Sequence, residues 1–190
     1  MRYLYIILVL SAFIYHCDNP QVNVNNESLK LDKYVKQYNY KLADIDFSQT
    51  EEQLFQLGLE LLNKKNDFLS SEKVFRYLLS KNPGNPEYLY YAGRSVLFIG
   101  EYNYFPNSME PYEIAYSYFS KLVEKDPKKP NYLLMKSYSI GRIGLFMRKK
   151  DGDLIDIVKA LSESKDLIEE IMKLDSKKPD ALITRGEIYY

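Results

Sequence analysis

NPGNPEYL at 82–89 and DPKKPNYL at 126–133 are one joint written twice, and DSKKPDAL at 175–182 is a looser third copy. In each, a proline (Pro86, Pro130 or Pro179) stands three residues before a leucine. Proline is well placed at the first position of a helix, where its missing N–H would have had no intrahelical acceptor. In the first two copies Pro83 or Pro127 lies three residues earlier and closes the helix before it. These are helix–turn–helix joints. Their second prolines are 44 and then 49 residues apart.

The chain between the joints has helical periodicity. Leu54, Leu57, Gly58, Leu61 and Leu62 fall on one stripe, and Val74, Phe75, Leu78 and Leu79 on the next. Ser48-Gln49-Thr50-Glu51 reads as a capping box opening the first of these helices. Runs of alternating Val, Ile and Thr bounded by turns are missing, so strands are not expected. The fold class is all-α.

With these features the sequence resembles the tetratricopeptide repeat (TPR) family, whose pattern sets Leu-Gly and Tyr in a first helix and Ala, Phe and Pro in a second. The first copy offers Leu54, Leu57-Gly58 and Leu61, then Ser71, Phe75 and Pro83. The second offers Leu89, Ala92-Gly93 and Val96, then Ala115, Phe119 and Pro127. A more degenerate third has Leu133, Lys136-Ser137 and Ile140, then Ser164, Ile168 and Ser176. A fourth begins with Leu182, Arg185-Gly186 and Tyr189. The resemblance implies an α-α superhelix of about three and a half helical hairpins over 48–190. Small residues at Gly58, Gly93, Ser137 and Gly186, facing Ser71, Ala115 and Ser164, mark where the two helices of a hairpin approach closely.

Gly58 to Gly93 is 35 residues, close to the family repeat, but Gly93 to Ser137 is 44 and Ser137 to Gly186 is 49. The extra residues sit at NYFPNSMEPY (103–112) and near FMRKKDGDLIDIVK (146–159). The second is expected to lengthen both helices around Asp151-Gly152. Insertions at the same joint of successive repeats are expected to fall on one edge of the superhelix, where a specialised contact surface is expected. The final GEIYY lacks the polar outer face of a capping helix, and a shortened member of a longer family is the reading it favours.

At the other end, YLYIILVLSAFIY (3–15) is uncharged and follows Arg2. Its 13 residues are too few to span a bilayer but suit the apolar region of a secretory signal. Cys17 closes this run, with Ile14 three residues before it and polar DNPQVNVNNES after it. The arrangement resembles a bacterial lipoprotein signal, which implies a signal peptide over 1–16 and lipid on Cys17. His16 departs from the small residue usual there, and an uncleaved short anchor is the rival reading. Residues 17–47 are expected to be a tether, Asn-rich and flexible to about residue 30, with room for a short helix within 29–47.

Composition narrows the chemistry. The 26 basic residues are balanced by 26 acidic ones, which argues against nucleic acid as a partner. The longest basic run, Arg148-Lys149-Lys150, suits the end of a helix. A chain processed at Cys17 retains neither the single histidine nor a free thiol, so His- and Cys-based catalysis and zinc sites are not expected. Asp151, Asp153 and Asp156 lack EF-hand spacing and read as a helix-starting turn. Neither an enzymatic activity nor a cofactor or metal is expected.

The resemblance implies a concave wall built from first helices, with Phe55, Leu59, Tyr90, Arg94, Leu97, Tyr138, Arg142 and Glu187 facing inward. Tyr and Arg are enriched at binding hot spots. The expected function is non-catalytic protein or peptide binding by a lipid-anchored lipoprotein of the bacterial cell envelope, on its periplasmic side or surface. The alternative is an accessory subunit that handles a small ligand for an envelope transporter or solute-binding protein.

Overall fold

The computed structural model describes the main chain of residues 24–174 and the side chains from 31 onward. Cys17, Pro179 and Glu187 lie outside the described residues. Among the described residues seven helices follow one another: α1 (Val24–Gln37), α2 (Glu51–Asn63), α3 (Phe68–Lys81), α4 (Pro86–Glu101), α5 (Glu110–Lys125), α6 (Pro130–Lys149) and α7 (Leu154–Leu174). Strands are absent among them. Helices α2 and α3, α4 and α5, and α6 and α7 form antiparallel hairpins. Each hairpin stacks on the next through α3 on α4 and α5 on α6, and the first helices touch in the order α2, α4, α6.

The joints behave as their prolines dictate. Pro86 and Pro130 open α4 and α6. Asn85 caps α4 by accepting from the N–H groups of Glu87 and Tyr88. Helices α3 and α5 end immediately before Asn82-Pro83 and Asp126-Pro127. The capping box lies two residues later than the sequence reading put it: Thr50 is the cap and Gln53 its partner. Ser48 instead bonds to Asp46, because the chain is still turning there. The third hairpin is lengthened as expected, its helices running 20 and 21 residues against 13 and 14 in the first. Asp151 takes φ 54° to end α6, and the Gly152 N–H returns to the Met147 carbonyl at 2.9 Å. Asp153 Oδ1 then accepts from the N–H groups of Ile155 and Asp156 and opens α7.

Inside the hairpins the small residues sit under aromatic rings. A methyl group on Gly58 would lie 2.7 Å from the tip of Phe75, and one on Gly93 would lie 2.8 Å from the tip of Phe119. Both rings are fully buried and cannot swing away. Ser71 Oγ donates to the Gly58 carbonyl at 3.0 Å and lies 2.9 Å from Ser95 Oγ. The third hairpin has Ser137 and Ile168 at the same register. A shorter side chain than Phe leaves room for the hydroxymethyl group. Ser137 and Ser164 then exchange hydrogen bonds, each hydroxyl donating to the other's carbonyl at 2.9 and 2.8 Å.

Helix α1 begins at Val24, within the polar stretch that composition reads as tether. It packs on α5, and it reaches α3 through Asp32, whose carboxylate accepts two bonds from Arg76 at 3.1 and 2.8 Å. Both α3 and α5 are second helices, so α1 covers the outer wall of the stack. Leu31 is buried there, and the Tyr34 ring stacks on Phe105 at 4.7 Å. Phe105 and Tyr104 come from the first insertion, and Tyr40 donates to the Tyr104 carbonyl at 2.6 Å. Phe105 of that insertion therefore holds α1, and Tyr104 holds the turn that follows it. Residues 41–47 continue down α3, with the Ala43 N–H on Ser70 Oγ and Phe47 against Tyr77.

Beneath α1 lies Glu72, almost fully buried. Its Oε1 is 3.4 Å from Arg76 Nε but accepts no hydrogen bond. Burial pushes this carboxyl up to about 7, with Arg76 opposing the rise and Asp32 adding to it.

Two outcomes follow from this packing. Gly93→Ala should destabilise the protein by about 1–3 kcal/mol in urea unfolding, although alanine is the better helix former. Adding Phe119→Ile should recover part of that loss, and strictly additive effects would show that the ring does not set the approach. For Glu72, the folded state holds its proton more tightly than the unfolded chain. The resulting stability is complete below about 4.5 and is lost as the pH rises through about 7. Glu72→Gln should therefore flatten the fall in Tm across that window, and parallel Tm–pH curves for the two proteins would contradict it.

Candidate functional site: a groove between the first helices

Helix α4 presents Tyr90, Arg94, Leu97, Phe98 and Glu101 along one face, at the spacing of successive turns. Helix α6 presents Asn131, Leu134, Met135 and Tyr138 opposite them. Between these two faces lies a cavity of about 400 Å³. Leu97 and Leu134 are buried in its floor, whereas Tyr90, Arg94 and Tyr138 are half-buried at its sides. Small residues at Gly93 and Ser137 keep the second helices close behind these faces, which directs the longer side chains forward.

Charge in the groove is organised around Glu101. Arg142 holds both its oxygens, Nε to Oε1 at 2.7 Å and Nη2 to Oε2 at 2.8 Å. Tyr138 donates to Oε2 at 3.1 Å. This fork geometry ties the end of α4 to the middle of α6 and fixes the width of the groove. The Arg94 guanidinium lies 5.6 Å from the centre of Phe98 and 6.0 Å from Tyr90 and Tyr91, a cation over ring faces. Burial raises the pKa of the Tyr90 hydroxyl, so it stays a neutral donor.

The groove extends at both ends. Glu101 and Arg142 also border a second cavity of about 390 Å³, closed by Asn107 and Ser108 of the first insertion and by Lys149 and Lys150 at the end of α6. Lys150 Nζ donates to Asn107 Oδ1 at 2.7 Å and joins the two insertions, as their shared edge implies. At the other end, Tyr90 and Asn131 border a shallower hollow of about 150 Å³ with Glu87, Lys129 and Tyr132. Metal-ligating clusters of three or more His, Cys, Asp or Glu are absent among the described residues.

Of the residues read from sequence, Tyr90, Arg94, Leu97 and Tyr138 line the central cavity, and Arg142 joins them through Glu101. Phe55 packs against Phe75, Tyr88 and Tyr91 between the first two hairpins, and neither it nor Leu59 borders these cavities. Sequence reasoning missed Phe98, Glu101, Leu134 and Met135. The helical spacing from Tyr90 and Arg94 would have found Glu101, since it falls on the same face two turns further on.

Neither a protein-family model nor a curated protein matches the chain. Among solved structures, the thermophilic TPR protein TTC0263 of Thermus thermophilus superimposes with a TM-score of 0.58 at 18% identity. The fold is TPR-like. That match covers 74% of this chain and 64% of the Thermus protein, so the chain spans just under two thirds of it. The Yersinia enterocolitica type III secretion chaperone SycD, in complex with a peptide of the translocator YopD, aligns more loosely. Its TM-score is 0.49 at 15% identity, over 76% of this chain and 92% of that one. The CopN–Scc3 complex has a TM-score of 0.45 at 16% identity, over 84% of each chain.

Proposed function

We propose that this protein is a non-catalytic interaction module that holds a segment of another protein in the α4–α6 groove. The observation that carries the reading is the groove itself: an apolar floor of Leu97 and Leu134 with Arg94, Glu101 and Tyr138 as convergent polar groups around it. Such a surface suits recognition, because burying the floor supplies affinity and the polar groups supply orientation. The lipoprotein-type signal ending at Cys17 supports a place for this module on a bacterial envelope membrane, with the chain tethered by lipid. A second reading, a small apolar ligand held by the groove tyrosines, rests on the size of the central cavity, which lies within the range of small-molecule sites. A ligand seen by native mass spectrometry would favour it over the first.

Crosslinking in envelope preparations is expected to give a protein adduct with the wild type that falls at least about tenfold with the double variant Tyr90→Ala, Arg94→Ala. An undiminished adduct would remove the groove from the function. In the same cells a metabolic fatty-acid label should enter the wild type and not Cys17→Ala, and label surviving that change would sink the anchor.

A further inference from the structure

We propose that α1 is a releasable strap, docked on the outer wall while Glu72 holds a proton and let go when it does not. The strap is independent of the groove. Glu72 lies beneath α1 and Asp32 lies on it, and both face the Arg76 guanidinium. Arg76 donates its fork to Asp32, Nη1 to Oδ2 at 3.1 Å and Nη2 to Oδ1 at 2.8 Å. Only Nε approaches Glu72, at 3.4 Å, and Glu72 Oε1 accepts no hydrogen bond. One cation thus faces two carboxyl groups, and the three are balanced only while one carboxyl keeps its proton. Burial selects Glu72 as the keeper, since its side chain is 4% exposed against 45% for Asp32.

Loss of that proton puts a second negative charge where water does not reach it. Glu72 cannot leave, because α3 carries it. Arg76 stands one turn further along the same helix and can serve it without movement of the backbone. Asp32 is the partner free to go: it is already half in water, on a helix held by few groups. Of the described α1 side chains only Leu31 is buried. Tyr34 adds its ring on Phe105 and a bond from Ser108 Oγ at 3.2 Å. With 14 residues α1 is no longer than the helices that are marginal alone in water, so once detached it also unwinds. Release uncovers the wall of α3 and α5. It also lengthens the stretch between Cys17 and the hairpins, since residues 18–23 lead from Cys17 into α1.

The electrostatics run the same way. Burial raises the Glu72 carboxyl to about 7 against the pull of Arg76, and Asp32 adds to the rise. Taking Asp32 away therefore eases the ionisation of Glu72, and by linkage the ionisation of Glu72 drives Asp32 away. The docked state, with the raised value, is favoured at low pH and loses ground as the pH climbs towards about 7. Of the groups around the cluster, Tyr118 of α5 faces Arg76 and favours its charge. On α3, Lys73 lies over the Phe47 ring, and on α1, Lys33 lies over the Tyr34 ring. Further along α1 the Tyr34 hydroxyl meets Glu110 of α5, which holds that phenol above its usual range and so neutral throughout.

The test is amide hydrogen exchange of the intact chain from about pH 5 to about pH 8, each rate divided by that of unstructured chain at the same pH. Protection over 24–37 should fall by up to about tenfold per pH unit on the approach to about 7 and then level off. Helices α4 and α5 should keep theirs. Glu72→Gln, the neutral isostere, should remove the slope and leave α1 protected throughout. Asp32→Asn should move the slope to lower pH, because Asp32 no longer raises Glu72. Circular dichroism checks that each variant is folded. Flat α1 protection in the wild type, or a slope that survives Glu72→Gln, would overturn the strap. So would α4 and α5 losing protection in step with α1, which is unfolding of the whole. Should Glu72→Gln fail to fold, an unmoved slope in Asp32→Asn overturns it equally.

Discussion

The structure depends on how closely two helices of a hairpin can approach. At Gly58 and Gly93 the first helix has no side chain, and the ring of Phe75 or Phe119 from the second helix fills the space. That contact sets the hairpin's depth, and the depth sets which residues of the first helix face outward into the groove. The cost of a helical glycine, about 0.5–1 kcal/mol against alanine, is offset by burying a whole aromatic ring. The third hairpin meets the same constraint differently. Its Ser137–Ser164 pair replaces ring-on-glycine packing with reciprocal hydrogen bonds, which keeps two buried hydroxyls satisfied.

The same stack has two unlike sides. Its outer wall, made by α3 and α5, is occupied by α1 through Leu31, the Asp32–Arg76 pair and the Tyr34–Phe105 stack. Its inner wall, made by α4 and α6, is covered by no helix among the described residues, and its ion pair between Glu101 and Arg142 braces the groove from within. Segments that the repeat pattern treats as extras thus have definite work. The first insertion holds α1 with Phe105 and the turn after it with Tyr104, and borders the groove with Asn107 and Ser108. The lengthened third hairpin brings Lys149 and Lys150 to the same edge.

Much of this was legible in the residues. Proline at a helix start and another after the helix before it locate the joints without reference to anything distant, because both effects are local to the backbone. The apolar stripes and the Gly–Phe register give the hairpins, and the register points to Tyr90, Arg94, Leu97 and Tyr138. Helical spacing places Glu101 on the groove face, but its pairing with Arg142, 41 residues away, is something no local pattern connects to it. Helix α1 was legible only in part: a short helix within 29–47 was expected, but its start at Val24 lies in the polar stretch read as tether, and what holds it is a wall assembled from two other hairpins.

The sequence by itself determined the helices, their joints and the repeat, since these follow from proline geometry, periodicity and the need for small residues at close approach. Only the tertiary structure decided that α1 covers the outer wall. It also decided that Glu72 is buried beneath α1, and that Glu101 is already neutralised while Arg94 is not. Those facts depend on which charges the packing brings within a few ångströms of each other, and on how much water it leaves around them.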